Sequence, residues 1–460
     1  MLRQMHLAGF QIAAPVTHSH AAWRHRDTRA DFLDLAYYQD IARTLERGKF
    51  DFLFFADVLA TPRTYADDFR DPIRRGTQAA LGLDPTLVVA ALVSATRHLG
   101  LAVTKSATYY APYDIARSFA TLDHLSRGRV AWNVVTSLNQ AEAQNFGYDE
   151  PLDHDTRYER AEEFLEAAFG LWASWDEGAI LNDKASGVFA DPGKVHELDH
   201  AGEYFKIRGP LNVPRSPQQR PVIIQAGSSE RGKDYAARWA EAIFEIDPTP
   251  AGRRAYYRDV KDRVADFGRD PDAVKILPAV MPFIGRSEAE ARDKQAYHNA
   301  LADPISGLIT LSLHTNHDFS RYPLDEPVAD IAVSGTLGLF AVARALSLNN
   351  DLTLRDVGKL YAQGVMLPQL VGTPEQVADQ LEAIHKAEEA DGFMVSAAHS
   401  PGAFHEFVDL VVPELQRRGS FRREYAGPTL RDQLGLGPAS LVPVPRHRFT
   451  PRGMRRVAAG

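Results

Sequence analysis

The feature that most restricts the fold is a recurring short apolar run, bounded by turn residues and followed by a longer stretch with helical spacing. DFLFFAD (51–57), LGLAVTKSA (99–107), VAWNVVTS (130–137), PVIIQ (221–225), AIFEI (242–246) and DGFMVSAA (391–398) are of this kind. Runs this continuous, without polar alternation, suit strands covered on both faces, as in parallel sheets wrapped by helices. MHLAGFQIA (5–13) and VKILPAVMPFIG (274–285) bring the runs to eight, although Pro278 and Pro282 fit a strand interior poorly.

Helices are predicted between them at 31–47, with Tyr37, Ile41 and Leu45 at four-residue steps and Gly48 placed to end it, and at 85–97, 112–125, 156–175 and 251–267. Eight such units predict an α/β fold, a TIM (β/α)8 barrel. We read one domain over 1–435, with insertions after strands four and seven at about 138–220 and 299–370, and a C-terminal extension ending in a tail at 436–460.

In such barrels the chemistry sits at the carboxyl ends of the strands. That rule selects Asp57, Thr104, Ser106, Asn133, Thr136, Ser137, Ser228 and Ser229, with His18, His20 and His314 in loops. Most are uncharged hydrogen-bonding groups, a lining better suited to holding a polar cofactor than to hydrolysis.

The stretch 221–244 reads as strand, tight loop and helix, breaking at Gly227. Its free N–H groups and helix dipole, with Ser228 and Ser229, suit a phosphate. Plain helix capping by the same serines is the other reading, and the stretch alone leaves both open. Gly227, Gly232 and Lys233 have Walker A spacing, but Asp234 stands where the magnesium-binding hydroxyl belongs, which argues against nucleotide hydrolysis. In HDTRYERAEEF, Thr156 and Glu159 have capping-box spacing. His154 and Tyr158 are four residues apart and can share a face at that helix start, either as a second half of the cradle or as a surface cap with Tyr158 packed in an interface.

A net charge of -8 with no basic block argues against a nucleic-acid partner. The absence of cysteine excludes disulfides and thiol nucleophiles, and no run of about 18 apolar residues suggests a membrane span. A soluble, cytoplasmic protein is expected. His18 and His20 form an HxH after strand one, as in metal-dependent barrel hydrolases, but WNVVTS and IIQAG end later strands without further ligands, so no metal site is expected.

Several long motifs occur in order: HSHAAWRH (18–25), LERGKFDFLFFAD (45–57), ARSFATLDHLSRGRVAWNVVTS (116–137), HDTRYERAEEF (154–164), YFKIRGPLNVPRSPQQRPVIIQAGSSERGKDYAA (204–237) and VVPELQRRG (411–419). From about residue 5 to 435 the chain resembles the nitrilotriacetate, dibenzothiophene sulfone and pristinamycin-pathway monooxygenases of the bacterial luciferase-like superfamily. The resemblance implies a two-component, FMN-dependent monooxygenase. It would take reduced FMN (FMNH2) from a separate NAD(P)H:flavin reductase, activate O2 at flavin C4a, and insert one oxygen atom into a small organic substrate. A homodimer or homotetramer is expected, and a flavin-binding barrel without turnover is the alternative.

Carried over residue by residue, the resemblance places FMN contacts at Asp57, Thr104, His154, Tyr158 and Ser228, with Asn133, Thr136, Ser137 and Ser229 as neighbours. Gln219 stands where relatives often have glycine, which should only reshape that loop. The second insertion, with Gly307, Gly335 and HTNHDFS (314–320), is the lid candidate, and His20 or His314 the candidate catalytic group at the oxygen. Arg24, Arg26, Arg63, Arg70, Arg74 and Arg75 suggest an anionic substrate, whereas Trp23, Phe54, Phe55 and Tyr65 suggest an aromatic one; the sequence leaves this open.

Overall fold

The computed structural model describes residues 4–331, 333, 340, 342, 344 and 351–446; Gly335 and the tail from 447 lie outside the described residues. Eight strands form a closed ring: β1 (His6–Ile12), β2 (Phe52–Ala56), β3 (Gly100–Ser106), β4 (Val130–Val135), β5 (Val222–Gln225), β6 (Ala242–Glu245), β7 (Lys275–Ile284) and β8 (Gly392–Ser396). Neighbours in the ring pair in parallel, and β8 closes on β1 from His6 opposite Gly392 to Phe10 opposite Ser396.

The strand carrying Pro278 and Pro282 does form, because it changes partners along its length. Lys275 to Pro278 pair with β6, Ala279 and Val280 with β8, and Met281 to Ile284 with an additional strand, Gln369–Gly372, outside the ring. The sequence predicts no strand there, the second insertion being expected to end at 370, within it.

The pleat sorts side chains into two cores. Ala8, Phe10, Phe52, Phe54, Ala102, Ala131 and Ile224 fill the barrel, while Leu7, Leu53, Phe55, Leu101, Val103, Trp132 and Ile223 face the surrounding helices. The C-terminal extension seals the end at which the strands begin. Its Leu430 and Leu434 join the inner core, the Leu430 N–H donates to the Gly128 carbonyl just before β4, and Arg422 pairs with Asp51 just before β2. The open end is therefore the carboxyl end of the strands.

Around the ring lie α1 (Leu35–Arg47), α2 (Pro85–Leu92), α3 (Pro112–Ser126), α4 (His154–Ala173), α5 (Glu230–Trp239), α6 (Pro250–Asp266), α7 (Glu288–Ala300), α8 (Pro304–Thr315), α9 (Leu354–Gly364) and α10 (Pro374–Lys386). Asp34 and Asp84 cap α1 and α2 through their side chains, so α1 begins later than 31, and α2 stops at Leu92 rather than running to 97.

The stretch 138–220 divides. A short helix (Gln140–Asn145) and then α4 carry the chain from β4 to β5, α4 being an ordinary crossover helix packed on α3 and α5. Only the part after Ala173 departs from the barrel plan, as two small antiparallel hairpins. Gln219 in that part has φ 68°, a left-handed conformation in which glycine is unstrained.

In the second insertion α8 and α9 cross closely, since a Cβ on Gly307 would stand 1.8 Å from the Gly358 carbonyl oxygen. Gly307 thus serves close packing, not the flexibility expected of it in a lid. Among the described residues no helix is long and apolar enough to cross a membrane.

Candidate functional site

At the open end of the barrel is a cavity of about 380 Å³, within the range of small-molecule sites. Asp57, Thr104, Asn133, Thr136, Ser137, His154, Tyr158, Ser228, Ser229, His18 and His314 all line it. The rule that strand ends carry the chemistry therefore gathers residues spread over more than half the chain.

One wall is built by two helix beginnings. Ser229 caps α5, its hydroxyl accepting from the Gly232 N–H at 3.0 Å. The same hydroxyl lies 3.4 Å from His154 Nε2, and the His154 ring is 5.0 Å from that of Tyr158. The start of α4 differs from the sequence reading. Asp153, not Thr156, is the cap, its carboxylate accepting from the Asp155 and Thr156 N–H groups, so His154 is the first helical residue. An aspartate one residue before the histidine outcompetes threonine because it accepts two bonds at once.

The loop between β5 and α5 has no room for a side chain at Gly227, where a Cβ would meet Gln225 Oε1 at 2.7 Å and the Gly232 backbone at 2.8 Å. Tyr256 on α6 holds the loop from behind, its hydroxyl donating to the Gly227 carbonyl at 2.8 Å.

The second wall comes from β2 to β4. Asn133 Nδ2 donates to Thr104 Oγ1 at 2.9 Å, and Ser137 Oγ to Ser106 Oγ at 3.0 Å. Burial, with Asp84 close by, lifts the Asp57 carboxyl to about 7. Three buried amides line the cavity with an oxygen that has no partner: Gln78 Oε1, Asn133 Oδ1 and Gln225 Oε1. Buried polar atoms are normally satisfied, so these point to a polar ligand.

The third region is apolar. Phe10, Phe54 and Phe244 stack with centroids 5.6–6.0 Å apart, and His18 lies on Phe10 at 3.7 Å with its Nδ1 3.0 Å from Ser396 Oγ. Ile246, Leu313 and Val365 complete it, the last two coming from the second insertion. His314, at the end of α8, has Nδ1 3.0 Å from the Tyr361 hydroxyl of α9. Burial depresses His314 to about 4, and depresses His18 to about 3 with help from the nearby His314, so both rings are neutral at pH 7.

His20 is not brought to the cavity. Its ring is buried, with Nε2 3.1 Å from Thr310 Oγ1, and it packs behind the wall that His314 forms. The hydroxyl on α8 turns it away from the opening. Among the described residues no group of three or more His, Cys, Asp or Glu is arranged to hold a metal ion.

The arginines after strands one and two also lie elsewhere. Arg24 donates to the Leu301 carbonyl, and Arg26, Arg63, Arg70, Arg74 and Arg75 pair with Asp27, Asp67, Asp68 and Asp71. Of the aromatic candidates Phe54 alone lines the cavity; Phe55 points outward to the helices, Tyr65 packs against the second insertion, and Trp23 is on the surface.

Sequence reasoning missed Gln78, Asn139, Glu142, Arg157, Gln225 and Phe244. Arg157 and Gln225 carried a signal. Arg157 is three residues after His154 on one helix face, and Gln225 is the polar residue ending the run VIIQ.

Partnerless amide oxygens, a glycine loop between a strand and a helix, and two helix starts bearing hydroxyl and imidazole groups together fit a ligand with a phosphate at one end and a polar, planar ring system at the other. A flavin mononucleotide has that constitution.

The family described as luciferase-like monooxygenase matches residues 11–390. A dibenzothiophene-sulfone monooxygenase of Rhodococcus erythropolis (strain XP) is 54% identical over 442 residues, covering 94% of this chain and 97% of that protein. The nitrilotriacetate monooxygenase component A of Aminobacter aminovorans is 43% identical, with 94% and 97% covered. A crystal structure of a riboflavin lyase with modified FMN and riboflavin aligns with a TM-score of 0.85 at 33% identity, covering 95% of this chain and 96% of that one.

Proposed function

The chain belongs to the luciferase-like monooxygenase family, and from that premise we propose that it is the oxygenase of a two-component system, taking reduced FMN from a separate flavin reductase. That it is a monooxygenase follows from its family and relatives. The proposal adds where the cofactor lies and what is oxidised. The observation that carries it is the meeting of the α4 and α5 beginnings over the barrel mouth, with Ser229 and His154 within 3.4 Å.

The Ser228 and Ser229 hydroxyls, the Tyr158 hydroxyl and His154 would hold the phosphate. Asn133, Thr104 and the amides of Gln78 and Gln225 would hold the polar ring edge, with Asp57, Thr136 and Ser137 beside them. Reduced FMN, when bound, supplies the electrons that activate O2. The chain's own contribution is to keep that chemistry dry and oriented. Leu313 and Val365, from the tightly crossed α8 and α9, close the cavity with apolar surface and exclude water. With Nδ1 of His314 taken by Tyr361, Nε2 is the nitrogen left for the cavity, where the neutral ring can donate or accept a hydrogen bond beside the reacting oxygen.

The substrate is read from the third region. Its walls are aromatic and aliphatic, its histidines neutral, and none of the arginines after strands one and two reaches it. A polycarboxylate would be desolvated there without a partner. The cavity supports a neutral aromatic substrate, a sulfone of the dibenzothiophene type being the first to test, consistent with the relative that is 54% identical. The experiment supplies the enzyme with a flavin reductase, NADH, FMN and O2, and offers dibenzothiophene sulfone and nitrilotriacetate in parallel. Oxygenated product from the first alone supports the reading; turnover of nitrilotriacetate alone overturns it.

A further inference from the structure

Arg157, the fourth residue of α4, is 7% exposed and, among the described residues, is the one arginine or lysine lining the cavity. Its Nη1 donates to the Thr136 carbonyl at 2.9 Å, its Nε has no partner, and among the described residues no carboxylate lies within ion-pair distance. Burial lowers its pKa, an effect that Tyr158, Tyr109, Asp153 and Glu142 only partly offset.

Among the described residues seven other arginines are buried to a similar degree, and each is compensated. Arg220 and Arg431 share Glu241, Arg238 faces Glu162, Arg253 faces Glu389, Arg263 meets Asp234 and Asp259, and Arg422 meets Asp51. Arg129 has no carboxylate at hand but spreads its N–H groups over the carbonyls of Ser126, Leu99, Val93 and Thr96. Arg157 has no paired carboxylate and a single carbonyl, Asp153 and Glu142 acting on it only from beyond ion-pair distance, and it borders a cavity. An uncompensated buried charge is costly, so the chain keeps one where a ligand brings its opposite.

We propose that Arg157 is the counter-charge for a phosphomonoester, completing from the β4 side the cradle begun by His154, Tyr158, Ser228 and Ser229. The inference rests on reading the cavity as an FMN site. Those four residues offer hydroxyl and imidazole groups; a dianion taken out of water is held best with a guanidinium, which meets two phosphate oxygens at once. Position favours phosphate over an anionic substrate. Arg157 lies between His154 and Tyr158 in sequence and is tied to Thr136 at the polar wall, whereas the apolar region is built from other elements. Arg157 would therefore make the site choose FMN over riboflavin.

The test is titration of the wild type, R157Q and R157K with oxidised FMN and with riboflavin, followed by flavin fluorescence. The wild type should bind FMN far more tightly than riboflavin. R157Q should weaken FMN by about 10- to 100-fold, the scale of hydrogen bonds to a charged group, and leave riboflavin unchanged. R157K, which keeps the charge without the fork, should fall between. Inorganic phosphate should raise the melting temperature of the wild type more than that of R157K, a readout that holds even if R157Q fails to fold. Equal weakening of both flavins by R157K, or FMN affinity unchanged in R157Q, overturns the role of Arg157 while leaving the FMN reading intact. A wild type that binds neither flavin overturns both.

Discussion

Ser229 Oγ stands 3.4 Å from His154 Nε2, so the beginnings of two helices 75 residues apart in sequence face each other across one small volume. Each beginning offers N–H groups without helical partners and the positive end of a dipole. Two such ends held together repel unless something negative lies between them, and the fold holds them together where Tyr158 packs on Tyr235 and Glu162 pairs with Arg231 and Arg238.

Ser228 is exposed at the lip of that volume. Ser228→Asp brings a carboxylate against the bound phosphate and should weaken FMN at least about tenfold, since like charges so placed cost more than 1 kcal/mol. Melting should be little changed. Fluorescence titration checks it, and unchanged affinity removes Ser228 from the site.

Gly307→Ala tests the packing of the cavity roof. The added Cβ falls 1.8 Å from the Gly358 carbonyl oxygen and 2.8 Å from the Ala362 nitrogen, so α8 and α9 must separate. A loss of about 1–3 kcal/mol is expected, as in other overpacked sites. Limited proteolysis should become faster within the second insertion. A variant as stable and as resistant as the wild type would mean that the two helices are not locked by this contact.

His314→Ala should leave FMN affinity within about twofold, because its partner is Tyr361 and not the cradle. Oxygen consumption should nevertheless part company with product formation, most of the oxygen appearing as hydrogen peroxide. Preserved coupling would assign the proton at the oxygen to another group, and His18 on Phe10 is then the next candidate.

The buried histidines should each pull stability down in mild acid. His18, His20 and His314 sit at about 3, 3 and 4 in the folded chain against 6.5 when unfolded, burial being the main cause in each. Above 6.5 both states hold these rings neutral and nothing is lost. Below 6.5 the unfolded chain binds protons that the buried rings refuse, and the loss grows until the folded values are reached. At about pH 5.5 each ring contributes a loss on the order of 1 kcal/mol. Asp57 and Glu245, lifted by burial to about 7 and about 8, act oppositely, their contribution growing as pH falls through those values. Melting temperatures from pH 7.5 to 5 should drop less steeply for His314→Gln than for the wild type; identical slopes would show that His314 is not buried neutral.

The barrel was legible in the sequence because parallel strands buried on both faces leave continuous apolar runs, and of the strand-end candidates all but Ser106 line the cavity. What escaped had physical causes. The strand Gln369–Gly372 is short and lies outside the ring, so its sequence lacks the apolar run of a ring strand. The prolines of β7 were tolerated because the strand changes partners along its length. The onset of α4 was misplaced because Asp153 and Thr156 both make good caps, and only the backbone shows which one accepts. His20 shares a motif with His18, yet its direction is set by Thr310, which lies 290 residues away in sequence. Gln78 comes from a loop with no periodicity to read.

The central claim is that the α4 and α5 beginnings grip the phosphate of one flavin at the barrel mouth. A crystal structure of the protein soaked with FMN tests it most directly. The account predicts phosphorus density between Ser228, Ser229, His154 and Tyr158, with the ring system directed toward Asn133 and Phe54. Density for the phosphate among Phe10, Phe244 and Leu313, or for the whole flavin outside this cavity, would contradict it.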